Sequence, residues 1–248
     1  MTRALFCLLA LVPAALHAQQ PAASSPLGSE SIPGNISPEV FRHALAAHKE
    51  ATTEGKTTSV TLTIIDYSRP ATEKRLWVVD LITREVLESE YVAHGEGSGD
   101  LLPTQFSNRD GTHESSLGTF ITGSAFEGVR GHSLRLLGLE PGINDNAYSR
   151  GLVIHGTPGV SESKALRGVQ GRTEGCPAVP SKSVSRLIGR IANGSVVFAW
   201  YPDREFLKKS GFLDRSAVAE RLAVPLVAGA SGGSGEESLG STRRKHQP

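Results

Sequence analysis

The chain predicts a mainly β domain carrying a few helices. Three observations lead there. Apolar residues alternate or cluster in short runs, as in Val60, Leu62 and Ile64 and then Leu76-Trp77-Val78-Val79. Glycine-rich connections separate those runs. Apolar spacing of the helical kind is confined to a few stretches, chiefly 38–54 and 181–192. Short alternating runs between turn formers mark strands, whereas recurrence every three or four residues marks a helix.

Taken in order, Ser37-Pro38-Glu39 opens the first helix, with serine as N-cap, proline at the first helical position and an acid in the first turn. Val40, Phe41, Ala44, Leu45 and Ala47 share one face, and Glu54-Gly55 ends the helix. Strands follow from Thr58, broken by Ser68-Arg69-Pro70, and further strands are expected at 86–93, 117–123, 133–139 and 151–155. Ser181 to Ala192 predicts a second helix, because Val184, Leu187, Ile188 and Ile191 fall on one face before Asn193-Gly194 stops it. Ser195 to Trp200 reads as a core strand, with short helical pieces at 203–209 and 214–221.

The ends read differently. Met1-Thr2-Arg3, the apolar run Ala4–Leu16 and His17-Ala18 have the layout of a secretory signal peptide over residues 1–18. That run is too short for a membrane span, so no stable membrane insertion is expected after cleavage. Residues 19–36, rich in Pro, Ala, Ser and Gly, predict a flexible linker, and 229–248 a disordered tail. The body between them is 37–228, and an exported chain of this kind is expected in the periplasm. Lys and Arg number 26 against 25 Asp and Glu, a balance that argues against nucleic-acid binding.

Removing the leader removes Cys7 and leaves one cysteine, Cys176, in Gly171-Arg172-Thr173-Glu174-Gly175-Cys176-Pro177. Exported proteins usually pair their thiols or lack them, so an unpaired thiol on a glycine-flanked turn reads as a nucleophile. His155 ends the apolar run Gly151–Ile154 and is its expected base. A working cysteine needs its thiolate favoured by such a neighbour. The N–H groups of Gly175 and Cys176 are the expected oxyanion donors. A buried inert cysteine is the weaker alternative, given the polar, glycine-rich surroundings.

Other signals carry less. Ser161-Glu162-Ser163-Lys164 spells the S-x-x-K of penicillin-binding serine enzymes, but no Ser-Asp-Asn or Lys-Thr-Gly accompanies it, and it reads as a loop. Gly95-Glu96-Gly97-Ser98-Gly99 lacks the spacing of a phosphate loop and reads as a loop flanking the active site. His94, His113 and His132 lack zinc-site spacing, so no metal and no cofactor is expected.

The ordered set of motifs resembles the murein L,D-transpeptidase catalytic domains, in the branch whose cysteine motif ends Gly-Cys-Pro-Ala. The resemblance rests on His155-Gly156 and Thr173-Glu174-Gly175-Cys176. It extends through Ser116-Leu117-Gly118-Thr119-Phe120, Gly131-His132-Ser133-Leu134-Arg135-Leu136, Gly138-Leu139-Glu140 and Asn144-Asp145-Asn146-Ala147 to Arg150. It covers roughly 58–201 and implies a β-sandwich or barrel-like catalytic domain. By position, it implies Cys176 as nucleophile, His155 as base and the Gly156 carbonyl as orienter of the imidazole. Many members carry Arg or Asn shortly after the cysteine, where this chain has Pro177-Ala178. Arg172 or Arg150 is therefore the candidate for holding a substrate carboxylate, alongside Thr173 and Asn144 as substrate contacts. A structural role in the turn is equally open to Asn144.

The resemblance further implies peptidoglycan stem peptides as partners. Cys176 would attack the diaminopimelate carbonyl of a tetrapeptide stem, release D-alanine and pass the acyl group to an amine. Water as acceptor would make the protein an L,D-carboxypeptidase. A wall-binding protein without turnover is the remaining alternative, and a γ-D-glutamyl peptidase is disfavoured because its histidine follows its cysteine.

Overall fold

A computed structural model describes residues 32–223. The expected leader, the linker up to residue 31 and the tail lie outside the described residues. Its helices are α1 (Pro38–Thr53), α2 (Glu162–Ala165), α3 (Val184–Ile191), α4 (Arg204–Lys209) and α5 (Arg215–Ala223). Its strands are β1 (Thr61–Asp66), β2 (Leu76–Asp80), β3 (Val86–Glu90), β4 (Gly118–Gly128), β5 (Gly131–Gly138), β6 (Val153–Thr157), β7 (Ala178–Pro180) and β8 (Val196–Trp200).

The eight strands form one sheet in the order β3-β2-β1-β8-β4-β5-β6-β7, parallel at β1–β8 and β6–β7 and antiparallel elsewhere. Its two ends meet. Beyond β3, Ala93 bridges Ala178 of β7, with the Ala93 N–H donating to the Ala178 carbonyl at 2.8 Å. The sheet is thus a nearly closed, barrel-like curl, joined at its seam by isolated bridges at Ala93–Ala178 and Gly95–Thr173. Helix α3 contacts β1 and also β5 and β6, which β8 and β4 separate from β1 in the sheet, so it sits within the curl. Its Val184, Leu187, Ile188 and Ile191 are buried, as their spacing requires.

The core is densest around β1, β2 and β8, where Leu62, Ile64, Trp77, Phe198 and Trp200 are fully buried. Helix α1 lies against β1 and β8. Its His43 stacks on Trp200 with ring centroids 4.5 Å apart, and neither ring nitrogen has a hydrogen-bond partner among the described residues. Burial holds His43 neutral, lowering its pKa to about 4.

Three differences from the sequence reading have physical causes. Residues 32–36, assigned there to the linker, pack on the body: Ile36 is buried, and Asn35 accepts a bond from Trp77 Nε1 at 3.0 Å. The β4–β5 hairpin reaches Gly128 and Gly131, past the expected strand ends. Its outer residues are largely exposed, so no apolar pattern announces them. The Ser161–Lys164 segment is a capped helical turn rather than a loop, with Ser161 Oγ accepting from the Lys164 N–H at 3.3 Å. An N-cap needs a serine there for reasons unrelated to catalysis.

Candidate active site

Strand β6 carries His155 in register with Ala178 of the parallel strand β7. Side chains two apart share a face of a strand, so Val153 and His155 lie on one face of β6. Cys176 lies two residues before β7, and its sulfur sits at the β6 edge near Gly151 and Val153, two residues along the strand from His155. The register is anchored at the sulfur. Cys176 Sγ–H points to the Gly151 carbonyl at 3.8 Å, and the Val153 N–H favours the thiolate.

His155 is oriented by its successor. Nδ1–H donates to the Gly156 carbonyl at 3.1 Å. A carbonyl can only accept, so the proton sits on Nδ1 and the lone pair is on Nε2, which has no protein partner. Burial lowers the His155 pKa, with the Gly156 bond opposing and Arg130 reinforcing the shift. Burial likewise raises the Cys176 thiol, against the favourable Val153 N–H and Arg130. The resting pair is therefore neutral, a thiol beside an imidazole. Both are almost inaccessible, Cys176 at 3% and His155 at 5% exposure.

Polar contacts fold the turn that presents the sulfur. Thr173 Oγ1 donates to the Cys176 carbonyl at 2.7 Å and accepts the Gly175 N–H at 3.2 Å. Gly175 has φ of +115°, which a side chain rarely tolerates. Its carbonyl accepts from Ser115 Oγ at 3.0 Å, and the same hydroxyl accepts the Gly95 N–H at 3.0 Å. The 95–99 glycine loop does flank this turn. The Thr173 N–H donates to the His94 carbonyl and the Glu96 N–H to the Thr173 carbonyl. A methyl on Gly95 would overlap the His113 carbonyl and lie 2.9 Å from Gly175 Cα. Beneath the loop, fully buried His94 accepts at Nδ1 from Arg75 Nη2 at 2.7 Å, and burial lowers its pKa to about 4.

The sequence-predicted residues divide accordingly. Cys176, His155, Gly156, Gly175 and Thr173 come together, with Thr173 shaping the turn. Of the two expected oxyanion donors, the Gly175 N–H is committed to Thr173, which leaves the Cys176 N–H. Arg150 lines the cavity but is committed to its wall, donating to the Ser107 and Glu114 carbonyls and to Ser116 Oγ at 2.6–2.7 Å. Arg172 is exposed and turned to the Gly99 carbonyl and Asp100. Asn144 leaves the substrate set: it is fully buried, donates to the Leu117 and Thr119 carbonyls and accepts the Glu140 N–H. Those bonds are the structural role in a turn that its sequence position also allowed.

A polar cavity of about 150 Å³ opens beside Cys176, lined by Asp110, His113, Arg130, Arg150 and Glu174. Sequence reasoning missed Arg130, which reaches the site from the β4–β5 tip. A larger hollow of about 320 Å³, walled by Phe106, Ile143, Asp203 and Phe206, touches none of the predicted site residues. Among the described residues, no helix is long and apolar enough to cross a membrane.

Comparison with known proteins places this geometry. A family model described as an L,D-transpeptidase catalytic domain matches residues 33–200. No curated protein matches the sequence. Similar solved structures include an L,D-transpeptidase from Mycobacterium smegmatis, 14% identical with a TM-score of 0.36, covering 57% of this chain and 59% of that one. Another, from Xylanimonas cellulosilytica, is 13% identical with a TM-score of 0.37, covering 65% and 77%. A third is the helical cell shape determining protein of Campylobacter jejuni, 12% identical with a TM-score of 0.39, covering 75% and 62%. The chain spans about three fifths of the Mycobacterium smegmatis structure. With the family model matching more than half of its length, the chain belongs to the L,D-transpeptidase catalytic domain family.

Proposed function

We propose that the protein is a peptidoglycan L,D-transpeptidase working through Cys176. The observation that carries this reading is the family match over 33–200, with a buried thiol on the turn before β7 and an Nδ1-protonated histidine on β6. His155 Nε2 takes the thiol proton as Sγ attacks the L-centre carbonyl of diaminopimelate in a donor tetrapeptide stem. The new C–S bond forms a tetrahedral intermediate, whose oxyanion accepts the Cys176 N–H. Collapse breaks the peptide bond, and the proton on Nε2 passes to the departing D-alanine amine. An acceptor amine then loses a proton to Nε2, attacks the thioester and restores the thiol. No step uses a metal or an organic cofactor. The acting compartment is the periplasm, reached by cleavage of the 1–18 leader.

The test incubates purified protein with tetrapeptide muropeptides and sorts the products by mass. D-Alanine release with dimers linked diaminopimelate to diaminopimelate is expected. Tripeptides alone would make it an L,D-carboxypeptidase. Cys176→Ala is expected to abolish release, and retained turnover in that variant overturns the assignment.

A further inference from the structure

The β4–β5 hairpin overruns the sheet beside it. Strand β6 pairs with β5 only from Ser133 to Arg135, whereas β4 and β5 stay paired out to Gly128 and Gly131. An extra residue between Thr122 and Ala125 shifts the register, and such bulges bend a hairpin. At about 3.3 Å per residue, the tip reaches roughly 10 Å beyond the last rung shared with β6. Val129 at that tip is fully exposed, and Arg130 beside it lines the cavity at Cys176. Arg130 Nη2 donates to Glu174 Oε2 at 2.5 Å, two residues before the nucleophile.

The bond is well formed and exchangeable. Its side chains are 37% and 59% exposed, a setting in which water and competing ions screen a salt bridge. The other nearby arginines are committed, Arg150 to backbone carbonyls and Arg172 to the Gly99 carbonyl and Asp100. Arg130 is also close enough for its charge to favour the Cys176 thiolate.

We propose that Arg130 anchors the terminal carboxylate of the donor stem, and that Glu174 occupies this anchor until the donor displaces it. This rests on the acyl-transfer reading above. A donor cleaved one residue from its end carries its carboxylate about one residue spacing, roughly 4 Å, from the attacked carbonyl. The guanidinium offers a planar pair of donors that matches such a group. Exchanging one carboxylate for another keeps Arg130 paired throughout, and the displaced Glu174, with its side chain 59% exposed, is taken up by water.

The experiment compares a tetrapeptide donor with its C-terminal amide, measuring D-alanine or D-alaninamide release by the wild type, Arg130→Ala, Arg130→Lys and Glu174→Gln. Amidation is expected to raise the wild-type KM about tenfold or more with kcat little changed, the size of one charge-assisted bond. Arg130→Ala is expected to raise KM for the acid donor similarly and to treat both donors alike. Arg130→Lys recovers part of the preference. Glu174→Gln lowers KM for the acid and leaves the amide unchanged.

Calorimetric binding of both donors to Cys176→Ala, with and without Arg130→Ala, reads the same preference without turnover. An Arg130→Ala protein that still prefers the acid as the wild type does overturns the anchor. An unchanged acid KM in Glu174→Gln overturns the placeholder. Loss of turnover in the wild type, with the acid preference intact in binding, would instead sink the transpeptidase reading.

Discussion

On the β1–β2–β8 side, Trp77, Phe198, Trp200 and their aliphatic neighbours are buried against one another and against α1. On the β6–β7 side, the cysteine turn is held by Thr173 Oγ1, Ser115 Oγ, backbone bonds to the 94–97 loop and a glycine that admits no side chain. The first region is stabilised by area removed from water, which tolerates small shifts of any one group. The second depends on directional bonds between irregular segments, where a displacement of less than an ångström breaks several together. The apolar core and the proposed active site are thus concentrated at different parts of one sheet.

Substitutions at either side test that separation, beginning with the largest expected effect. Trp200→Ala removes the ring that His43 stacks on and is expected to cost about 3–5 kcal/mol of stability. Denaturant titration measures the loss, and turnover per folded molecule should be unchanged; a matching drop in kcat would show that the two sides are one unit.

Acid comes next. His43 has a folded-state pKa of about 4, below the ordinary 6.5, so its contribution is whole above pH 6.5 and is lost as pH falls towards 4. The loss is on the order of 3 kcal/mol, and His43→Phe should flatten the stability profile over that window. Turnover by folded protein should hold below pH 6.5, because His155 is also shifted down and remains a base there. An inactivation that precedes unfolding, at the same pH in both proteins, would place the acid sensitivity in His155 rather than in His43.

The smallest effect in free energy is the most local. Gly95→Ala is expected to lower turnover about 10²-fold by pushing the 95–99 loop off the cysteine turn, with the midpoint of global unfolding little changed. Normal activity in Gly95→Ala would mean that the loop does not position Cys176.

The apolar side was legible because burial leaves a period in the letters. The runs at 60–64, 76–79 and 195–200 and the α3 face follow directly from it. Cys176 and His155 were legible for another reason, a lone thiol and a histidine at a strand end. The bonds made by Arg130, Ser115, His94 and Gly95 were not, although the 95–99 loop was read as flanking the site. Each residue acts through a contact with residues distant in the chain, and none of those contacts requires a periodic neighbour. Strand β7 escaped because three residues, preceded by Pro177 and ending in Pro180, are too short to show alternation. Asn144 was placed among substrate contacts by its polarity, whereas burial turned that polarity towards backbone carbonyls.

The concealment of the Cys176 thiol also bears on how long the protein lasts as a reagent. Peroxides and disulfides attack thiolates that they can reach. At rest this sulfur is protonated, raised in pKa and closed off, so both the reactive form and the access to it are scarce. A thiol held in this way is slow to oxidise without any second cysteine to pair with. Its durability thus belongs to the resting pocket, closed over a neutral thiol.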